Sequence, residues 1–532
     1  MFPAKVAYSF LLGLLPVLLL GMGCRQVLQL EDYRLQPDLD AGLLGDAAKP
    51  LDGCERNRDC AARQTEGTAR SAPTICHKVT KRCVPLTSED CQTITGDYTD
   101  DEAIVIGSLF STSGAQASIN HAREQSAILA VDEINAAGGV PSGVTSAGAR
   151  PLVLLSCDEA QLLRAAGHLV NDLAVPAIIG PNTSQDTLDL SNKLTIGTGT
   201  LVISPTAVAS SIADLLDEDL TWQMVPTDVQ RAPLMRAEIN TLEQQLRNAR
   251  GVKSLKLAVI YRDDALGQGT RVGLNSLEFN AAPLTDPVNL GSNVHILPYQ
   301  PTQVGQTAMV DAILKFAPDI IVLAGTAEAV TQVLVPIERG WPGPASSRPE
   351  YVLIDSLKAS ELIEAVTGNP DLRHRVRGTG TKPAARSVAV NESFMVSYAT
   401  RHPNEPTNLF GMGATYDATY AVAYGIAALR GRAITGRSIA QNLPLLGRAG
   451  LEVELQGSKV LSAFRHLTEA TPITIIGSNA PLQWDSHGAI LSGTIELWCI
   501  SEIAGRSSYD SSGVTYDLQL GRTEGAYVQC PP

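Results

Sequence analysis

The sequence offers few residue patterns that could carry out enzymatic chemistry. Its eight histidines never occur in H-E-x-x-H spacing and no G-x-S-x-G stretch is present, so the usual parts of a zinc or serine hydrolase are missing. The acidic runs at 100–102 and 263–264 are more typical of solvated loop ends than of a general acid and base. "GTGTLV" from Gly197 leads into a predicted strand, whereas a dinucleotide-binding loop follows one, and "RGTGTK" from Arg377 lacks P-loop spacing. We therefore predict a protein that is not an enzyme and that holds no metal or cofactor.

Cysteine is the residue type whose spacing suggests the most chemistry. Setting aside Cys24 leaves eight cysteines, an even number that is typical of disulfide bonding outside the cytosol. The eight candidates are Cys54, Cys60, Cys76, Cys83, Cys91, Cys157, Cys499 and Cys530. Pairing among the first four would close a small module, although spacing leaves the connectivity open. Zinc is the alternative, but no C-x2-C pair occurs and His77 is the only nearby imidazole.

The N-terminus predicts export. Lys5 precedes an apolar run over 10–20, which is too short to span a bilayer comfortably and is typical of a secretory signal. The small residues before Cys24 resemble a bacterial lipobox, in which that cysteine is lipidated, although Gly21 stands where the pattern usually has leucine. The alternative is an ordinary signal peptide cleaved nearby. We predict a periplasmic or cell-surface protein, lipid-anchored through Cys24, and Arg25 favours the outer membrane because it is not the aspartate associated with inner-membrane retention.

The bulk composition excludes one class of partner. The 532 residues have a net charge of -14 and no long run of lysine and arginine, which argues against nucleic-acid binding. Hydrophobic residues make up 44% of the chain and aromatic residues only 5%, a balance suited to α/β packing in two or three domains.

Two series of apolar runs alternate with helical patterns, which is typical of parallel α/β units. The first series of predicted strands covers 103–107, 152–156, 177–180 and 201–204. The second series covers 256–261, 295–298, 320–324 and 351–354. Two such series predict two Rossmann-like lobes. In sheets of this kind ligands bind beyond the carboxyl ends of strands, so the polar loop 111–120 is a candidate wall of a binding site.

The chain divides into seven predicted segments. They are a signal peptide (1–23), a spacer (24–53), a Cys-rich module (54–100), lobe 1 (101–222), lobe 2 (223–380), a return to lobe 1 (381–480) and hinge-crossing C-terminal strands with a tail (481–532).

An ordered set of stretches over about 101–500 resembles a known family. These include "IVIGSLFSTSGAQAS", "VPAIIGPNTS", "TLVISPTAV", "LAVIYRDDALGQG", "PDIIVLAGTAEAVTQVL", "YVLIDS", "TYDATYAVAYGIAAL" and "LQWDSHG". The set is similar to the type I periplasmic substrate-binding proteins, specifically the branched-chain amino-acid (Leu/Ile/Val) binding family of ABC transporters. This resemblance implies two α/β lobes with parallel sheets, joined by a three-stranded hinge that closes on a ligand.

The resemblance also implies ligand-binding residues in the first lobe. "GPNTS" puts Ser184, with Thr183 beside it, where a family serine binds the ligand carboxylate. "ISPTAV" puts the Thr206 carbonyl and the Val208 amide, with Ala207 between them, where backbone groups hold the ligand's ammonium and carboxylate. The alternative for Ser184 is a helix N-cap.

In the second lobe the resemblance implies one acidic contact and several departures. Asp355 of "YVLIDS" matches the family's partner for the ligand ammonium, the alternative being a cap or a solvated loop residue. Ile119, Leu266 and Thr326 stand where amino-acid binders often have aromatic residues. Losing these rings removes flat apolar walls from the pocket, which is then larger, differently shaped or no longer used.

The family's disulfide partner of Cys157 is also missing. Thr183 stands in its place, so Cys157 needs a distant partner, for which Cys91 is the candidate.

Two functions follow from these expectations. The first is a receptor that delivers a small polar ligand, amino-acid-like, to an ABC permease. The second is an envelope sensory or scaffold lipoprotein that kept the fold without a transport role. The retained Ser184 and Asp355 favour the receptor, whereas the Cys-rich module and the lost aromatic residues favour the scaffold.

Overall fold

A computed structural model describes residues 53–65, 72–114, 117–143, 148–301, 303–528 and 530. The predicted signal peptide, Cys24 and nearly all of the predicted spacer lie outside the described residues.

The N-terminal module is a disulfide-linked unit packed on the first lobe. It contains helix α1 (Asn57–Thr65) and an antiparallel pair of strands, β1 (Thr74–Cys76) and β2 (Cys83–Pro85). Disulfides join Cys54 to Cys76 and Cys60 to Cys83. The prediction of disulfide bonding is confirmed, and the zinc alternative is wrong because these bonds use the sulfur atoms that a metal would need. The buried side chains of Ile75 and Leu86 anchor the module in an apolar cluster shared with the first lobe.

The first lobe is built around a mainly parallel sheet in the order β10-β9-β8-β4-β7-β3. Its strands are β3 (Cys91–Thr95), β4 (Ile104–Phe110), β7 (Leu152–Asp158), β8 (Ala177–Ile179), β9 (Leu201–Ser204) and β10 (Thr221–Gln223), with a separate short pair β5 (Val140–Pro141) and β6 (Ala149–Arg150). Its helices are α2 (Ala117–Ala136), α3 (Leu162–Gly167), α4 (Ser184–Leu190) and α5 (Ile196–Thr198). The antiparallel edge strand β3 is tied to β7 by the disulfide between Cys91 and Cys157, as expected.

The second lobe repeats this plan on a larger sheet, in the order β14-β11-β15-β16-β17-β20-β21-β22. Its first strands are β11 (Leu257–Arg262), β14 (Val294–Tyr299), β15 (Ile320–Ala324), β16 (Glu350–Ile354) and β17 (Val376–Lys382), with a short separate pair β12 (Glu278–Phe279) and β13 (Ala282–Pro283). Its helices are α6 (Asp228–Arg250), α7 (Ala265–Gly273), α8 (Gln303–Phe316), α9 (Ala327–Ala329), α10 (Val335–Gly340), α11 (Ser360–Val366) and α12 (Pro370–Arg375). The chain enters this lobe at Thr227, whose capping box begins α6.

The chain then returns to the first lobe and crosses a third time. The returning helices are α13 (Val388–Arg401), α14 (Met412–Ala427), α15 (Gly436–Ala440) and α16 (Val460–Glu469), with strands β18 (Leu451–Glu454) and β19 (Ile473–Ile476). Every residue of α14 is buried, and the helix packs along α2. The chain ends in antiparallel strands β20 (Thr494–Ile503), β21 (Arg506–Asp517) and β22 (Arg522–Glu524), and a disulfide joins Cys499 to Cys530.

Hydrogen bonds join the crossing segments to each other. The Trp484 indole donates to the Gln223 carbonyl at 3.0 Å and packs edge-on against Trp222. The Gln230 side chain donates to the Ile490 carbonyl at 2.8 Å. These bonds place the first and third crossings side by side at the hinge.

The predicted fold class is confirmed: two α/β lobes with mainly parallel sheets joined by three crossings, and a disulfide-rich N-terminal unit. The described helices include none that is both long and apolar enough to cross a membrane.

Candidate functional site

The two lobes meet at a small closed cavity beyond the carboxyl ends of their sheets. Among the described residues it is lined by Val208 from the first lobe and by Asp228, Arg231, Ala232, Met235, Leu266, Thr270, Ile354, Asp355 and Thr379. The space open to the centre of a water-sized sphere is about 20 Å³, room for about one water molecule. In this structure the cleft is therefore closed on itself.

Ser184, the expected carboxylate contact, accepts hydrogen bonds from the first lobe's own backbone. Its hydroxyl oxygen accepts from the amides of Val208 at 3.0 Å and Ala209 at 3.1 Å. The N-cap of α4 is Thr183, whose hydroxyl accepts from the Asp186 amide at 3.1 Å, so the cap interpretation of Ser184 is wrong. Ser184 and Val208 are thus brought together as expected, but they hold each other.

The neighbouring loop is fixed in the same way. The Thr206 hydroxyl donates to the Asn182 carbonyl at 2.7 Å. The Ala207 amide donates to the Ser204 hydroxyl at 3.1 Å, and its carbonyl accepts from the Gln223 side chain at 2.9 Å. The Val208 carbonyl accepts from the Asp228 amide at 2.8 Å. That last bond joins the loop directly to the first residue of α6.

Asp355, the expected ammonium contact, is paired with a cation of the protein itself. Its carboxylate accepts from the guanidinium of Arg231, and both side chains are buried, with 4% and 7% of their surfaces exposed. Arg231 is also held through Nε, which donates to the Pro226 carbonyl at 2.8 Å. The interpretation of Asp355 as a solvated loop residue is therefore wrong.

Asp228 is the second carboxylate at the cavity. Its Oδ1 accepts from the amides of Ser210 at 3.2 Å and Val229 at 2.7 Å. Its Oδ2 is buried without a hydrogen-bond partner among the described residues. Burial raises the pKa of the Asp228 carboxyl to about 6. The carboxylate lies against Gly269, where an added Cβ would stand 1.4 Å from Oδ2.

The positions that depart from the family pattern are scattered. Leu266 lines the cavity and packs against the apolar cores of both lobes. Thr326 lies outside the cavity lining, where its hydroxyl bonds to Glu328 and accepts from Arg262 at 3.0 Å. Ile119 is half-buried in the first turn of α2 and also lies outside the lining. Only Leu266 of these three therefore touches the cavity.

A buried polar network supports the first-lobe side of the cleft. Arg123 donates to the Phe410 carbonyl at 2.9 Å and to the side chains of Asn120 at 2.8 Å and Asn182 at 3.2 Å. Burial lowers the pKa of the Arg123 guanidinium to about 10. Asn120 in turn donates to the Ser111 carbonyl at 3.1 Å, which fixes the start of the loop identified from the sequence.

Glu159 completes this network from the neighbouring strand end. Burial, and to a smaller extent the charge of Asp186, raise the pKa of the Glu159 carboxyl to about 7. The side chain of Asn182 and its amide both donate to this carboxylate at 3.4 Å.

The sequence interpretation missed Asp228 and Arg231. The signal available was "VPTDVQR", a helix start that places an acid and a base three residues apart, directly after the first crossing. Spacing of three residues puts two side chains on one helix face, but their burial depends on packing against the loops of both lobes.

Solved structures with the same fold include three transport proteins. A possible leucine/isoleucine/valine-binding protein from Rhodopirellula baltica matches with a TM-score of 0.55 and 17% identity, covering 77% of this chain and 96% of that one. The branched-chain amino acid transporter substrate-binding protein of Streptococcus pneumoniae, in complex with isoleucine, gives 0.53 and 18%, covering 77% and 99%. A solute-binding protein from R. palustris, in complex with benzoate, gives 0.53 and 14%, covering 80% and 99%. At such identities the likeness concerns the fold.

No curated protein matches the chain. The family model described as "Periplasmic binding protein" matches residues 103–446, from the first strand of lobe 1 to the returning helices. A match of this extent covers both walls of the cleft, and the chain belongs to the periplasmic binding protein family.

Proposed function

We propose that this chain is an extracytoplasmic solute-binding protein that captures a small polar ligand, an amino acid or an amino-acid-like acid, for uptake by an ABC transporter. The observation that carries the proposal is the interlobe cavity, which Val208 lines from one lobe and Arg231 and Asp355 from the other. Apolar side chains and a few charged groups converge there, as in small-molecule sites. The solved relatives were crystallised with isoleucine and with benzoate, both small carboxylic acids.

A thermal-shift screen of the purified chain tests the proposal. The library contains amino acids, hydroxy acids, aromatic acids, amides and short peptides. A ligand present at one hundred times its Kd raises the free energy of unfolding by about 2.7 kcal/mol. We expect at least one small acid to raise Tm by several degrees, and calorimetry then gives its stoichiometry. A library that leaves Tm unchanged throughout contradicts ligand capture.

We also propose that Cys24 is lipidated and that the chain divides at the segment boundaries given above. The support is the apolar run and small residues before Cys24, and the Arg25 that follows it. In a bacterial host the chain is expected to fractionate with membranes, preferentially the outer membrane, and to incorporate labelled fatty acid. Cys24→Ser should abolish both; label retained by the variant would contradict lipidation at this position.

A scaffold or sensory role is the second candidate, and one observation favours it. The groups that would hold a ligand bond each other here: Ser184 with the Val208 amide, and Asp355 with Arg231. A protein that had lost its ligand would keep such bonds permanently. Small-angle scattering separates the two roles, because a receptor becomes more compact with ligand relative to an open form, whereas a scaffold keeps one radius of gyration throughout the screen.

A further inference from the structure

Arg231 changes what the cleft can recognise. Its Nη1 donates to Asp355 and its Nε to the Pro226 carbonyl, so two edges of the guanidinium are held by the protein. Its Nη2 is buried and has no hydrogen-bond partner among the residues that the structure describes. Since the side chain is 6% exposed and lines the cavity, this donor is available to a molecule inside the cleft.

An unpartnered acceptor lies one helical turn earlier. Asp228 Oδ2 is buried without a partner among the described residues, and this side chain, 5% exposed, lines the same cavity. Residues three apart on a helix share one face. The cavity admits about one water molecule, so the free donor and the free acceptor face a common space only a few ångströms across. Buried polar atoms without partners are rare in folded proteins, and both therefore point to a ligand.

We infer that the cleft binds a small carboxylic acid bearing a hydrogen-bond donor on the carbon next to its carboxylate. Arg231 Nη2 binds the carboxylate, and Asp228 Oδ2 accepts from the neighbouring hydroxyl or amino group. Asp355 orients Arg231 and does not contact the ligand. The apolar side chains of Val208, Met235 and Ile354 face the remainder of the acid. The inference rests on the proposed function and specifies the chemistry of its ligand.

Nine acids in three matched sets test this chemistry. Each set keeps one carbon skeleton and varies the substituent at C2: leucine, 2-hydroxy-4-methylpentanoate and 4-methylpentanoate; alanine, lactate and propionate; phenylalanine, 3-phenyllactate and 3-phenylpropionate. Isothermal titration calorimetry on the full purified chain gives each Kd. We expect, in at least one set, that the amino or hydroxy acid binds at least tenfold more tightly than the unsubstituted acid. The amino and hydroxy arms identify which donor is used, and equal affinity for all three members overturns the role of Asp228.

Three variants assign the contacts. Asp228→Asn keeps the shape of the side chain, and we expect it to abolish the preference for a C2 donor. Arg231→Gln combined with Asp355→Asn removes both charges of the pair together, and we expect at least a hundredfold loss of affinity. Asp355→Asn alone retains an acceptor for Arg231, so amino and hydroxy acids should weaken by the same few-fold factor. Selective loss of the amino acids in that last variant would show that Asp355 is the ammonium contact and overturn the inference.

Folding and function are controlled separately. Circular dichroism and Tm confirm that each variant is folded, and Gln245→Glu on the exposed side of α6 should leave every affinity unchanged. If the acids fail but other small molecules stabilise the chain, the inference falls and the proposed function stands. If the acids bind and the double variant binds them as tightly, the inference alone falls. If no small molecule binds, both fall.

Discussion

Arg231 and Asp355, 124 residues apart in the chain, form a buried ion pair at the cavity between the lobes. The pair is contained within the second lobe, since Arg231 lies in the first turn of α6 and Asp355 follows β16. It places a cation of the protein beside the acid that the family resemblance assigns to the ligand. Any ligand of this cleft therefore meets a paired carboxylate and one free edge of a guanidinium.

Removing one member of this pair should be costlier than removing both. Arg231→Met leaves the Asp355 carboxylate buried without its cation, and we expect a loss of about 3 kcal/mol in the free energy of unfolding. Arg231→Met combined with Asp355→Leu replaces both charges by apolar groups, and we expect a smaller loss. Urea denaturation at pH 7 measures both.

A surface pair provides the control for that comparison. Arg437 and Glu218 form an ion pair whose side chains are 46% and 69% exposed, so Arg437→Met should leave the free energy of unfolding unchanged within error. If the double variant at 231 and 355 is as unstable as the single one, burial of an unpaired charge is not the cause.

Ser184→Ala tests whether this hydroxyl organises the first-lobe loop. Its loss leaves the amides of Val208 and Ala209 buried without an acceptor, which costs about 1–3 kcal/mol. We expect faster hydrogen exchange of both amides, measured by mass spectrometry on peptides covering 205–210. Thr183→Ala is the matched control, because it removes only the cap of α4 and should leave exchange in that loop unchanged.

The sequence predicted the fold far better than it predicted the contacts within the cleft. Strands 201–204 and 320–324 are observed with the predicted limits because each is a continuous apolar run buried on both faces. Asp355 was located through the residues around it, but its partner is set by how α6 packs on the second sheet, which no local pattern encodes. The burial of Arg123 was equally hidden, because its acceptors include Phe410 and Asn182, distant in the chain.

Gly269→Ala tests the close approach of α7 to Asp228. A Cβ at this position would stand 1.4 Å from Asp228 Oδ2, so that side chain must move. We expect the free energy of unfolding to fall by about 1–3 kcal/mol, as for other overpacked sites.

A second glycine and a rescue variant make the test specific. Gly197→Ala, in α5, meets nothing within 4 Å, and it should stabilise the chain by about 0.5–1 kcal/mol because alanine restricts the unfolded chain more than glycine does. Asp228→Ala in the Gly269→Ala background makes room for the new methyl group and should recover part of the loss. Failure of this rescue would contradict a clash with Asp228.

The pH dependence of stability should reflect Glu159. Burial raises the pKa of this carboxyl from 4.5 to about 7. The folded protein therefore holds the proton more tightly than the unfolded chain, so the free energy of unfolding falls as pH rises from about 4.5 to about 7. One pKa unit corresponds to about 1.4 kcal/mol, so the full effect is a few kcal/mol. Glu159→Gln removes this titration, and urea denaturation at intervals across that pH range should give a flatter curve.

Asp417 provides an independent comparison. Burial raises the pKa of its carboxyl to about 7, and the carboxylate accepts from the Ser478 amide at 2.8 Å in the returning part of the first lobe. Asp417→Asn should flatten the same pH range by its own share. Because the two groups share no hydrogen-bond partner, the flattening in the double variant should equal the sum of the two single effects. A Glu159→Gln curve that keeps the wild-type slope would show that Glu159 does not titrate in this range.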